Sequence, residues 1–184
     1  MTYRADRLIL AHLWVAFAAF AFAAVLGAWQ MLVRSPLPAP FAHNETYFAS
    51  VTAHGTLMAY VLTTLFVMGF GYFVAVTALD RPLPSMRAAW VGFWLAVAGI
   101  VLAAVTVLSG RATVLYTFYP PLTGSVFYYL GVLLVVIGSW IWCALMIIAL
   151  MRWKREQPGR PVPLAMYATV ANVVLWLWTT VGVG

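Results

Sequence analysis

Charge is the scarcest thing in this chain. Only 8% of its 184 residues are Asp, Glu, Lys or Arg, where a water-soluble domain carries about a quarter. That deficit excludes an ordinary soluble domain. Cysteine is nearly absent as well: Cys143 stands alone inside an apolar run, so no intrachain disulfide can form and the thiol reads as packing. The ten Lys and Arg residues are scattered rather than gathered in a stripe, so the formal charge of +6 does not point to nucleic acid. No cleavable leader is expected, because the first apolar run is too long for one and lacks a small-x-small cleavage site. What fills the sequence is apolar, with 65% hydrophobic residues and a mean hydropathy of +0.98. Apolar runs of twenty or more residues predict an all-α integral membrane protein. The 16% of aromatic residues agrees, since Trp and Tyr favour membrane–water interfaces.

The apolar residues fall into five segments, approximately Leu8–Val33, Tyr47–Leu79, Met86–Leu108, Val126–Trp153 and Leu164–Gly184. Each suits a membrane helix of about 20 or more residues. Between them lie SPLPAPFAHNE, DRPLPS, SGRATVLYTFYPPLTGS and KREQPGRPVP, whose prolines cannot continue a helix and so mark loops. Orientation follows from the basic residues. Arg4, Arg7, Arg81, Arg87, Arg152, Lys154, Arg155 and Arg160 share one side, and only Arg34 and Arg111 fall on the other. Eight against two predicts a cytoplasmic N terminus, with loops 34–46 and 110–125 facing outward.

Small residues recur at helical spacing: Ala16, Ala19, Ala23 and Gly27 in the first segment, and Gly92, Ala96, Gly99 and Ala103 in the third. Apolar attraction between helices is weak in lipid, so such stripes predict close backbone approach and ordinary bundle packing. The fifth segment carries no polar flank. Either the chain stops at the outer surface or it is the first part of something longer.

Three histidines stand out in so apolar a chain. His12, near the cytoplasmic end of the first segment, reads as interfacial, and His43, in a Pro-rich outer loop, as solvated. His54 lies about two turns, roughly 10 Å, into the second segment. An ionisable group at that depth either hydrogen-bonds a neighbouring helix or marks a functional site. Imidazole is a common ligand of haem iron and of copper. Gly55 beside it leaves room for a flat group or a neighbouring helix, and Met58 offers an apolar wall.

A second motif sharpens the choice. TAHGTLMAY (Thr52–Tyr60) together with ATVLYTFYPPL (Ala112–Leu122) resembles subunit I of the haem-copper oxygen reductases. In that family an HG pair in the second helix supplies a ligand to the low-spin haem, and a YPPL sequence lies in the loop entering the fourth. The longer TVLYTFYPPL form looks like the B family, the ba-type cytochrome c oxidases. MRWKREQPGRPVPL (Met151–Leu164) is similar to a cytoplasmic loop there. The loop after the second segment, LDRPLPSM, has Asp80 but lacks the two Asn residues of the A-family proton-uptake signature, which favours the B family.

The resemblance covers essentially the whole chain. It implies a single membrane domain over residues 1–184, forming the first part of the subunit I bundle in a bacterial or archaeal-type cytoplasmic membrane. His54 is then the axial ligand of the low-spin haem b, and Tyr116 and Tyr119 are either haem-side aromatics near the oxygen-access region or members of the interfacial belt. Pro120 and Pro121 stiffen the start of the fourth helix. The copper-binding histidines, the tyrosine joined to one of them and the remaining haem ligands lie later in the family's sequence and have no match here. The high-spin haem and copper are therefore expected in the complete enzyme and not on this chain. The implied partners are the remainder of subunit I or a complementing chain, a copper-bearing subunit II, cytochrome c as electron donor, and oxygen as substrate. The alternative is a small non-catalytic haem-b membrane protein, an electron carrier or assembly factor, whose second ligand comes from a partner chain.

Overall fold

A computed structural model describes residues 5–115 and 117–181. Its elements are α1 (Asp6–Arg34), α2 (Asn44–Thr56), a π-helical stretch (Leu57–Leu62), α3 (Thr63–Leu79), α4 (Met86–Leu108), α5 (Val126–Glu156) and α6 (Leu164–Val181). The described residues form five helices long and apolar enough to cross a membrane, because α2, the π stretch and α3 run on as one helix of 36 residues. The segments anticipated from hydropathy are found within a few residues of their expected ends, except that the fifth's expected end at Gly184 lies outside the described residues. The other exceptions have local causes. The second helix starts at Asn44, before its apolar run, so His54 lies about 15 Å along the helix from its first residue rather than 10. That helix also widens into a π stretch where an unbroken α-helix is expected. Thr63 there donates its hydroxyl to the carbonyl of Ala59.

The helices contribute to two compact units, one of residues 1–13, 66–96 and 136–184, the other of residues 14–65 and 97–135. In the first, α4 and α5 meet glycine on glycine: a Cβ on Gly138 would lie 2.5 Å from the carbonyl oxygen of Gly92. The Trp142 indole occupies the space a Cβ on Gly71 would need, with Cζ2 2.5 Å from that position. α6 is tied to α5 by the indole of Trp176 donating to Ser139 (2.8 Å) and that of Trp140 donating to Thr180 (2.9 Å). Arg81 and Glu156 form an exposed ion pair at 2.7 Å.

The second unit holds both sequence motifs, Thr52–Tyr60 and the described part of Ala112–Leu122. α4 and α5 touch again through Gly99 and Gly131, where a Cβ on Gly131 would meet the Gly99 carbonyl at 2.7 Å. Ala103, Val107, Ala112, Val114 and Tyr128 form a core cluster, with Ala49, Ala53, Phe118 and Val132 packed on it. The loop after α4 is a folded structure: Thr113 N–H donates to Thr123 O (3.0 Å) and Ser125 N–H to Arg111 O (2.8 Å) around a bridge between Ala112 and Gly124. Such pairing satisfies backbone groups that the loop could not leave bare against apolar helices. Of the first helix's stripe, Ala16, Ala19 and Ala23 are buried, as close packing requires.

Candidate functional site

His54 occupies the last turn of α2, and its neighbours hold the helix at one rotation. Thr52 and Thr56 are buried four residues apart on one face. Thr52 Oγ1 donates to Phe48 O (2.8 Å) and accepts the Leu115 N–H of the α4–α5 loop (3.0 Å). Thr56 shares a 2.6 Å hydrogen bond with the hydroxyl of Tyr128 on α5. His54 lies between them in sequence, about 200° around the helix from each. It therefore points the other way, toward α1.

There the stripe of small residues receives it. The imidazole Nδ1 lies 2.8 Å from the carbonyl oxygen of Ala23. A carbonyl can only accept, so Nδ1 carries the proton and the lone pair sits on Nε2. Gly27, one turn along α1, gives the ring its place: a Cβ there would come within 3.1 Å of Cε1 and 3.4 Å of Nδ1. The bond itself adds about 0.5–1.5 kcal/mol net. Its larger effect is orientation, because it fixes tautomer and ring plane together. His54 is half-buried, and Nε2 has no hydrogen-bond partner among the described residues. A neutral imidazole held at one nitrogen with a free lone pair at the other has the donor chemistry that an axial haem ligand needs, so the residues present fit that group.

The other expected site residues are not gathered around it. Tyr119 is 67% exposed, its ring directed away from the core. Tyr116 lies outside the described residues. The loop aromatic that does pack inward is Phe118, stacked on Tyr60 (centroids 6.4 Å, planes 17° apart) and set against Tyr128 and Tyr129. His43 is exposed at the start of α2. His12 departs from the interfacial expectation: it is fully buried, with Nδ1 2.8 Å from Leu8 O. Among the described residues no three His, Cys, Asp or Glu side chains converge as a metal site.

A cavity of about 980 Å³ opens in the same unit, lined by Ala49, Ala53, Leu57 and Tyr60 along one face of the second helix and by Ile100 and Ala103 of α4. His54 does not line it, because the next residue along a helix is turned 100° away. The cavity and the imidazole therefore serve different faces. The Ala23 carbonyl that orients His54 has no side-chain signature, so sequence reasoning missed it. The one signal was the Ala16–Gly27 stripe, whose last two members strip α1 of bulk where the ring lies.

This is an all-α integral membrane fold built from helices of the haem-copper oxidase subunit I bundle. The sequence profile described as "Cytochrome C and Quinol oxidase polypeptide I" matches residues 7–184, and the chain belongs to that family. Among curated relatives it is similar to cytochrome c oxidase subunit 1 of Thermus thermophilus, with 36% identity over 138 residues covering 75% of this chain and 24% of that protein. The corresponding subunit of Thermostichus vulcanus is 28% identical over 178 residues, covering 88% of this chain and 32% of the relative. A cryo-EM structure of a heme-copper terminal oxidase dimer superposes with a TM-score of 0.92 at 32% identity, covering all of this chain and 32% of that one. The chain thus spans between a quarter and a third of the length of these relatives.

Proposed function

We propose that this chain supplies the His54 side of the low-spin haem b in subunit I of a B-family haem-copper oxygen reductase. The observation that carries the reading is the Nδ1–H bond from His54 to the Ala23 carbonyl, which leaves the Nε2 lone pair to an iron. When bound, the haem supplies one-electron chemistry. The chain's own contribution is positional: α1 offers a carbonyl and a bare glycine to one edge of the imidazole, while Thr52 and Thr56 lock the opposite face of α2. His54 moves no proton in this role, because its one N–H is committed to Ala23. The other haem-iron ligand, and the residues that would hold the high-spin haem and copper, would come from the rest of subunit I or a complementing chain. Cytochrome c, delivering electrons through a copper-bearing subunit II, and oxygen complete the reaction, with protons drawn from the cytoplasm.

The B-family assignment is supported by TVLYTFYPPL at Thr113–Leu122 and by the absence of Asn around Asp80. The eight-to-two distribution of basic residues supports a cytoplasmic N terminus in the cell's inner membrane. The deciding measurement is a reduced-minus-oxidised spectrum of the assembled oxidase carrying His54→Ala. Loss of the low-spin haem b signal, with the subunit still present in the membrane, is the expected result. A signal of unchanged position and amplitude would remove His54 as a ligand.

A further inference from the structure

The cavity of about 980 Å³ lies wholly within the unit of residues 14–65 and 97–135 and is not lined by His54. Its dimensions restrict what can enter. Along the second span it runs from Glu45 to Val61, about 24 Å at 1.5 Å per residue. Spread over that length, 980 Å³ leaves a mean cross-section of about 40 Å². A helix with its side chains is 10–12 Å across, or about 80–110 Å² in section, so a further membrane helix is too thick for it. An extended hydrocarbon chain is not. One leaflet of hydrocarbon is about 15 Å deep, so a chain entering at the membrane surface reaches the midplane within the cavity's length.

The lining is graded in polarity. Its deeper walls include Ala53, Leu57, Val61, Ile100 and Ala103. Ser50 and Thr56 also face it, but Ser50 donates its hydroxyl to the Tyr47 carbonyl (2.7 Å) and Thr56 shares its hydrogen bond with Tyr128 (2.6 Å). The interior therefore suits an apolar guest. At the end where α2 begins stands Glu45, exposed and the one charged residue lining the cavity among the described residues. Arg34 of α1 is held close by: it donates to the Tyr47 hydroxyl, with its guanidinium 5.4 Å from the centre of that ring. Glu45 and Arg34 form no ion pair with each other. Two opposite charges kept apart at the polar end of an apolar slot match the two charges of a zwitterionic headgroup. We propose that this cavity binds a phosphatidylethanolamine molecule, with an acyl chain along Ala53 and Leu57, the ammonium at Glu45 and the phosphate toward Arg34. The ammonium donates charge-assisted hydrogen bonds to the carboxylate. A phosphatidylglycerol headgroup brings only negative charge to Glu45, and the methylated ammonium of phosphatidylcholine has no N–H to donate.

The test is photocrosslinking in the assembled oxidase containing this chain, delipidated in detergent and returned to nanodiscs. Phosphatidylethanolamine, phosphatidylcholine or phosphatidylglycerol, each with the same diazirine-bearing acyl chain, is incorporated at equal content, and adducts are mapped by mass spectrometry. Phosphatidylethanolamine should label residues 49–61 and 100–107 several-fold more than Leu130 and Leu133, which are exposed on α5 outside the cavity. It should also label them several-fold more than the other two lipids do. In Glu45→Gln that preference should fall to near parity. Ala104→Phe, which brings a ring into the cavity from an exposed position, should remove the cavity adducts and spare those on α5. Cavity labelling no stronger than at Leu130 and Leu133 would overturn the proposal, as would equal labelling by all three lipids in the parent. Labelling of the cavity by an azido-quinone in preference to every lipid would overturn it in favour of a quinone.

Discussion

Gly27 is the residue through which the imidazole site is most easily tuned. Two effects of Gly27→Ala oppose each other in stability. Alanine in place of a mid-helix glycine gains about 0.5–1 kcal/mol, while the new methyl, 3.1 Å from His54 Cε1, costs part of the roughly 1–3 kcal/mol typical of overpacking. The sum should leave melting little changed. The ring, however, must shift by a few tenths of an ångström, so under the proposed ligation by His54 the low-spin haem should remain with an altered midpoint potential and line shape. Gly27→Leu cannot be accommodated by so small a movement and should lose the signal. Redox titration of the two variants checks this, and identical potentials for Gly27→Ala and the parent would deny the glycine a positioning role. His54 itself stood out from the sequence because a histidine is costly in lipid. Its partner did not, because a backbone carbonyl belongs to every residue and only the packing of α2 on α1 selects Ala23.

Among the elements, α4 and α5 are joined by contacts that allow no side chain at the crossing. Gly131→Val should be among the most damaging single changes outside the site, because its Cβ would meet backbone, Gly99 O at 2.7 Å and Ala103 N at 2.9 Å, with no flexible group to yield. A loss at the upper end of about 1–3 kcal/mol, or failure to assemble, is expected. Gly110→Ala is the useful contrast. Nothing lies within 4 Å of its Cβ, and only its φ of +72° opposes the change, a cost of about 1–2 kcal/mol. Unfolding in detergent should rank Gly131→Val well below Gly110→Ala. The spans were readable from hydropathy because run length maps directly onto helix length. The α4 stripe was readable too, but its glycine partners on α5 were not, since Gly131 and Gly138 are seven apart and show no stripe of their own. The burial of His12 was equally hidden. It depends on Tyr72 and Phe93 covering an imidazole that its place in the sequence puts near a helix end.

For the chain as a whole, orientation in the membrane is directly measurable, because these 184 residues carry a single cysteine. Cys143 is fully buried and should not react with a membrane-impermeant maleimide. Thr117→Cys, in the exposed loop before α5, should be labelled on intact cells. Pro158→Cys, in the exposed turn after α5, should be labelled only once the membrane is opened. The opposite pattern would reverse the topology drawn from the basic residues. That topology matters for the proposed function, because it decides which side of the membrane the α4–α5 loop faces.

The π stretch at Leu57–Leu62 carries a consequence of another kind. A π turn houses one residue more than the α-helix around it, so it acts as slack in the reading of the helix. Removing one residue from 57–62 should let the stretch relax to α-helix with the flanking faces still in phase. The same deletion within Thr63–Leu79 would rotate everything beyond it by about 100°. A scan of single-codon deletions along the second span should therefore show one short window of tolerance in an otherwise intolerant helix. Loss of a single residue, more than substitution, is the variation this segment is built to absorb.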